Sequence, residues 1–129
     1  MIEPYFLGLD EIVEIHNDQL KRYGGRPGIR DLDLLKSAVA APAAGLSSNY
    51  LHTDIFEMSA AYLFHIIRNH PFVDGNKRTG AVASVVFLLM NGFELHTDEE
   101  SFENMVLSVA KGTTQKLEIA RFFRDNAGH

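Results

Sequence analysis

The stretch NKRTGAVASVVFLLM, residues 76–90, most constrains what this chain can fold into. From Thr79 onward every position is small or apolar. No choice of helical face can turn such a segment toward water, so it reads as a central helix surrounded by others. Asn91-Gly92 ends it, with glycine where a left-handed cap closes a helix. Its apolar part, AVASVVFLLM, has ten residues and is too short to span a bilayer.

The rest of the sequence supplies the surrounding helices. A first runs from about Asp10 to Tyr23: Asp10 can cap it, Ile12, Ile15, Gln19 and Leu20 recur at helical spacing, and Gly24-Gly25 stops it. GRPGIR is a loop rich in breakers. Asp31 opens a second helix, LDLLKSAVAA, which stops near Pro42, and PAAGLSSNYLH reads only as loop. Thr53 or Asp54 caps a third helix, IFEMSAAYLFHIIRN, whose Ile55, Ser59, Tyr62, Leu63, Ile66 and Ile67 share a wide face. Pro71 disfavours helical geometry at His70, so this helix ends there. The buried helix follows from about Asn76, and FELH forms a short extended piece. Thr97 with Glu100 makes a capping box for a fifth helix, DEESFENMVLSVAK, which ends at Gly112. Thr113 or Thr114 starts a sixth that reaches Asn126. Strand signals are nearly missing, and the expected class is all-α, about six helices around a buried central one.

With 129 residues the chain suits one domain, 1–129, able to bury about two thirds of its unfolded surface. It lacks cysteine, which excludes disulfides and thiolate metal sites and fits a reducing compartment. Twelve basic against seventeen acidic residues give a net charge of −5, so a basic footprint for nucleic acid is absent. The start, MIEPYFLGLDE, lacks the pattern of a secretory signal. The expectation is a soluble cytoplasmic protein with no membrane or direct nucleic-acid partner.

Between the third and fourth helices lies HPFVDGNKR, residues 70–78, which holds most of the chemically capable side chains. The first N–H groups of a helix are unpaired and carry partial positive charge. Gly75, Asn76 and Lys77 can therefore present a row of amides to a phosphate. Lys77 and Arg78 add full charges, and an arginine can grip two phosphate oxygens at once. Asp74 is an acid in a place that attracts anions; a bound Mg²⁺ reconciles the two, since a carboxylate plus phosphate oxygens is its usual coordination. Asn76 can also offer its side-chain amide to a phosphate oxygen. His70 stands at the near edge, and imidazole is the side chain suited to take a proton at neutral pH. Each residue also has a plainer reading: His70 as a helix C-cap, Asp74-Gly75-Asn76 as an ordinary turn with Asn76 as N-cap, Lys77 and Arg78 as solvated charges. Their convergence in one bend points to a site. Two rival motifs fail. GNKRTGAV has phosphate-loop glycine spacing but Ala81-Val82 where lysine and serine or threonine are required, and His65, His70 and Asp74 do not make a zinc pattern.

HPFVDGNKR resembles the signature of the Fic/Doc family, HxFx(D/E)(G/A)N(K/G)R, and meets every position it specifies. RYGGRPGIRD, IFEMSAAYLFHIIRNHPF and FLLMNG look like the short death-on-curing (Doc) branch, so the similarity covers most of the chain. The resemblance implies an all-helical fold and transfer of part of a nucleotide, with ATP as co-substrate and Mg²⁺ as cofactor, to a hydroxyl of a target protein. It implies that His70 takes the proton from that hydroxyl and that Asp74 binds the metal. Gly75, Asn76 and Lys77 are then the anion cradle, with Arg78 on the phosphates.

The departures are informative. AMP-transferring members usually have glycine at the position of Lys77 and a second arginine where this chain has Ala81. Doc-type proteins share both departures, which implies phosphoryl transfer with a translation elongation factor as target. Gly75 is a counter-signal, because glycine is the usual choice for AMP transfer. Phosphoryl transfer is the favoured expectation and AMP transfer the alternative; a nucleotide-binding module that makes no bond is a second alternative. Self-inhibited members carry (S/T)xxxE(G/N). Thr53 to Glu57 is followed by Met58, and Thr114 to Glu118 by Ile119, so neither completes it. Control by a separate antitoxin protein is what the resemblance then implies. Arg22, Arg26 and Arg30 cluster near the first loop as a solvated face or a partner contact. His16, His52 and His65 carry little functional weight, and Lys36, Lys111 and Lys116 read as helix-surface charges.

Overall fold

A computed structural model describes residues 3–46 and 49–128. The amino-terminal Met1 and Ile2, Ser47-Ser48 within the irregular 42–52 segment, and His129 lie outside the described residues. Six helices dominate: α1 Leu9–Tyr23, α2 Leu32–Ala40, α3 Ile55–Asn69, α4 Asn76–Met90, α5 Glu99–Lys111 and α6 Lys116–Asn126. The all-α class is as expected. Two antiparallel pairs of two residues each accompany them. β1 (Gly45–Leu46) pairs with β2 (Asn49–Tyr50) inside the segment that reads as loop, and β3 (Glu94–Leu95) pairs with β4 (Ala127–Gly128).

Several caps differ from the sequence expectation. Asp31 and Asp54 cap α2 and α3 by accepting from the N–H groups of Leu34 and Glu57. Asp10, however, lies inside α1, whose N-cap is Gly8, and Glu11 accepts from the Gly8 N–H. Asp98, not Thr97, caps α5, because its carboxylate reaches both the N–H and the hydroxyl of Ser101. The N-cap of α6 is Gln115, with Glu118 accepting from its N–H. An ionised carboxylate is a stronger acceptor than a hydroxyl, which decides the Thr97–Asp98 choice.

The more deeply enclosed helix is α3 rather than α4. Six consecutive α3 residues, Met58 to Leu63, are buried. Met58, Tyr62 and Ile66 enter one apolar cluster with Ile12, Leu35, Phe72 and Phe87, while Ala60, Leu63 and Ile67 enter a second with Leu88, Val109, Ile119 and Phe123. So α3 is the wall shared by two halves of the core. By contrast α4 buries Thr79, Gly80, Ala83, Ser84, Phe87 and Leu88 but leaves Leu89 54% and Met90 41% exposed. Its Val82 and Val86 line an open groove with Leu7 and Ile15. The expectation that α4 is surrounded on every face fails because α1 and α5 cover only part of it. Buried polar groups on α3 are paired: Ser59 Oγ donates to Ser84 O at 2.8 Å, and Tyr62 Oη both accepts from Leu7 N–H at 2.8 Å and donates to Leu7 O at 2.9 Å. Burial pushes the Tyr62 phenol up to about 12.

Where α6 meets α3, Lys116 is no simple surface charge. Its Nζ lies 3.0 Å from Nε2 of His65 and 3.4 Å from Nε2 of His52. An ammonium there requires both imidazoles to be neutral acceptors. Burial, then Lys116 and His52, lower His65 from its ordinary 6.5 to about 4. Burial, then Lys116, lower His52 too, against a smaller opposing pull from Glu57. Between about pH 6.5 and 4 the unfolded chain therefore binds more protons than the folded one. Stability is full above about 6.5, falls as pH drops through that window, and levels off below it. Partial exposure of His65 screens the effect to on the order of 1 kcal/mol. Urea unfolding at about pH 7 and pH 4.5, compared for wild type and His65→Gln, checks this: the variant should lose part of the acid sensitivity, and parallel curves would count against the cluster.

Candidate functional site

The bend between α3 and α4 is built from its ends inward. α3 stops at Asn69, and its C-cap is His70, with φ 50° and ψ 53°. Among the described residues it is the one non-glycine with positive φ. A side chain in that region costs roughly 1–2 kcal/mol, so surrounding contacts must hold it. Pro71 and Phe72 then turn inward and are buried, and the Phe72 ring stacks on the His16 ring, 3.7 Å between centroids and 5° from parallel. Gly75, left-handed at φ 79°, is the N-cap of α4.

Asn76 is not the N-cap but the first helical residue, and it is buried. Its Oδ1 accepts from Phe72 N–H and its Nδ2 donates to Phe72 O, both at 3.0 Å. The side-chain amide expected to reach a phosphate oxygen instead closes the loop on itself, because the buried Phe72 peptide groups have to be satisfied. The amide row is also displaced by one residue from the sequence expectation. The Gly75 N–H donates to Asp74 Oδ1 at 2.9 Å, since the preceding carboxylate curls over it. The first bond into α4 runs from Thr79 N–H to Gly75 O, 3.0 Å. That leaves the N–H groups of Asn76, Lys77 and Arg78 as the unpaired first turn.

Asp74 is held on both oxygens, with Oδ2 accepting from the Arg26 N–H at 3.0 Å. The Arg26 and Gly75 N–H groups, in that order, hold its carboxyl below the usual carboxylate range, so it is ionised. A carboxylate oxygen that accepts one bond keeps a further lone pair. A single ionised carboxylate beside a phosphate cradle fits the Mg²⁺ pattern of one or two carboxylates completed by phosphate oxygens and water. No group of three or more His, Asp or Glu that could hold a metal ion converges among the described residues, and His65 lies against Lys116.

His70, Asp74, Gly75, Asn76 and Lys77 line one cavity of about 140 Å³, closed by Ile67 of α3 and Ala110 of α5. Arg78 is not in its wall. It lines a neighbouring hollow of about 310 Å³ with Lys77, Ala81, Phe102 and Val106, and the two share Lys77. Together they reach the size of small-molecule clefts, about 300–1,000 Å³. Arg78 Nη2 donates to Gly24 O at 2.9 Å, and its guanidinium sits over Tyr23, 5.6 Å from the ring centre. The His70 ring makes no hydrogen bond among the described residues, and Lys77 is exposed without an ion-pair partner there.

Two contributors were not legible beforehand. His16 donates from Nε2 to Asp74 O at 2.8 Å, which fixes the peptide just before Gly75. The breaker-rich loop is not a free surface either: it is stitched along the bend. Gly24 O takes Arg78, Arg26 N–H takes Asp74, and Gly28 O accepts from Val73 N–H at 3.0 Å. The N–H groups of Arg30 and Asp31 both donate to Pro71 O. Arg30 Nε donates to His70 O at 2.6 Å and its Nη2 to Asn69 O at 3.0 Å. Gly25 makes the close approach feasible. At φ 123°, an added Cβ would lie 2.9 Å from Leu20 Cδ2 and 3.0 Å from Asp74 Oδ2. Of the three arginines near this loop, Arg22 pairs with Asp18 on the surface at 2.8 Å, Arg26 meets the bend through its backbone N–H, and Arg30 meets it through its guanidinium. No described helix is long and apolar enough to cross a membrane.

Residues 6–88 match the Fic/DOC family, a span that takes in α1 to α3, the whole bend and most of α4. The chain is 30% identical over 115 residues to Protein kinase doc of Escherichia phage P1, covering 89% of this chain and 90% of that protein. It is 41% identical over 76 residues to Toxin Doc of Mycolicibacterium smegmatis, covering 59% of this chain and 58% of that protein. A family match over most of the chain, which includes the bend that holds His70, Asp74 and the open end of α4, places the protein in the Fic/DOC family.

Proposed function

We propose that this protein is the toxin of a toxin–antitoxin pair and transfers the γ-phosphoryl group of ATP to a serine or threonine hydroxyl of a target protein in the cytoplasm. The observation that carries the reading is the convergence of His70, Asp74, Lys77 and the unpaired first turn of α4 on one cavity. An imidazole nitrogen of His70 takes the hydroxyl proton as the oxygen attacks phosphorus. The new O–P bond forms as the bond from the γ-phosphorus to the β,γ-bridging oxygen breaks, and ADP leaves. Asn76, Lys77 and Arg78 hold the phosphates through backbone N–H groups and side-chain cations. Asp74 is the residue that would hold Mg²⁺, whose charge supports the developing negative charge on the phosphate oxygens.

Phosphoryl transfer is favoured by the relative named Protein kinase doc, which matches over most of both chains. Lys77 in the cradle and Ala81 in place of a second arginine point the same way. Gly75 speaks for AMP transfer less than its identity suggests. Its left-handed backbone alone gives glycine an advantage, whichever bond is broken. The relatives named as Doc proteins and the absence of a completed inhibitory motif support a separate antitoxin as partner. A translation elongation factor is the target that the resemblance suggests.

Labelled ATP tests the reading. The protein is incubated with cell lysate and ATP carrying label at the α or the γ phosphate. Label should reach a protein band from the γ position alone. Transfer from the α position would replace this reading with AMP transfer. No transfer from either, by protein that binds ATP, would leave only a nucleotide-binding module.

A further inference from the structure

We propose that Arg30 is a positioning residue of the transfer reaction: its guanidinium clamps the last carbonyls of α3 and so holds His70 in the left-handed backbone conformation that sets its ring at the cavity. The inference rests on the reading of His70 as the general base, and nothing in the HPFVDGNKR signature contains it.

The geometry is specific. Arg30 Nε and Nη2 donate to His70 O and Asn69 O, at 2.6 and 3.0 Å. Two donors of one rigid fork on two successive carbonyls fix the orientation of the peptide between them. That peptide leads directly into the φ of His70, the one positive value outside glycine among the described residues. The cation also sits at the negative end of α3, where it is favoured. The base of Arg30 is pinned as well, because its own N–H and that of Asp31 donate to Pro71 O, on the far side of His70. The His70 backbone is thus gripped on both flanks by residues 30 and 31, while its ring has no hydrogen bond to hold it. Asp31 caps α2, so the clamp is anchored to a helix and not to a floating loop. Arg30 itself is exposed and does not line the cavity; of the lining residues it bonds His70, so its effect on the reaction runs through that residue. A purely capping arginine would stabilise α3 and leave the reaction rate alone. A positioning arginine changes the rate while the nucleotide site, built from residues 74–78, stays intact.

The experiment compares wild type with Arg30→Ala and Arg30→Lys. In Arg30→Ala, kcat should fall about 10–100-fold, the scale of a base displaced by about 1 Å. KM for ATP should stay within about threefold and the melting temperature within a few degrees, because an exposed side chain is removed. Arg30→Lys, or methylguanidinium added to Arg30→Ala, should restore part of kcat. An unchanged kcat, or a joint loss of kcat and melting temperature without rescue, would overturn the proposal. If the wild type transfers no label at all, the functional reading fails, and the clamp is then judged on the protein alone. The three-bond HN–Hα coupling of His70 reports its φ directly. It should change in Arg30→Ala, and an unchanged coupling refutes the clamp whatever the activity.

Discussion

His70→Ala should bind ATP like the wild type and transfer label about 10²–10⁴-fold more slowly, the contribution expected of a general base. The two halves of this result come from different atoms. The proposed phosphate donors are the N–H groups at the start of α4 and the Lys77 and Arg78 side chains, and His70 makes no hydrogen bond to any of them among the described residues. The ring itself is exposed and makes no hydrogen bond among the described residues, so its removal leaves no buried partner unsatisfied. Alanine keeps a Cβ, so the backbone at 70 is asked for the same left-handed conformation, and Arg30 still grips its carbonyl. Transfer kinetics and an ATP titration on the same preparations give the two numbers. In cells lacking the antitoxin, wild type should arrest growth and the variant should not. If the variant transfers label as fast as wild type, His70 is not the base. If it arrests growth equally without transfer, the toxin acts by binding.

What could be read from the sequence follows how local its physical cause is. Helix ends governed by neighbours are legible: Asp31, and Asp54 as one of two candidates for α3, reach N–H groups three residues on, and Gly24 and Gly112 stop α1 and α5. The choice between Thr97 and Asp98 was lost because adjacent residues both look like caps, and only acceptor strength separates them. The bend is legible as a candidate site because its candidate side chains lie within nine positions. Its supports were not. Arg30 meets His70 across forty positions, and His16 meets Asp74 across fifty-eight. Nothing in GRPGIR distinguishes a solvated arginine from one that clamps a helix end, because both are exposed. The side-chain role of Asn76 is hidden for a related reason: a polar side chain beside a candidate phosphate site invites a ligand contact. Burial of Phe72 instead obliges Asn76 to satisfy that residue's two peptide groups. β3 is legible as the extended FELH piece, but its pairing with β4, more than thirty positions on, is not.

Phe72→Ala should be the most destabilising single change in the bend, costing about 3–5 kcal/mol of a total that for such domains is about 5–15. The Phe72 ring is fully buried, belongs to the cluster of Ile12, Leu35, Met58, Tyr62 and Phe87, and lies flat on His16. Truncation opens a cavity between α1, α2 and α3 and strips one face of the His16 ring. His16 then loses the contact that aims its Nε2 at Asp74 O, and Asn76 loses the fixed backbone that it brackets. Stability and geometry are therefore coupled here, unlike at His70 or Arg30, where the side chains are exposed. Phe72→Leu keeps most of the volume and should cost less than half as much, without the flat surface that His16 stacks on. Urea unfolding orders the three proteins, and the His16 ring NMR signals report the loss of the stack. If Phe72→Ala unfolds within about 1 kcal/mol of wild type, the bend is not anchored through its ring. The rigidity of the cradle would then have to come from Asn76 and the stitching by residues 24–31 alone.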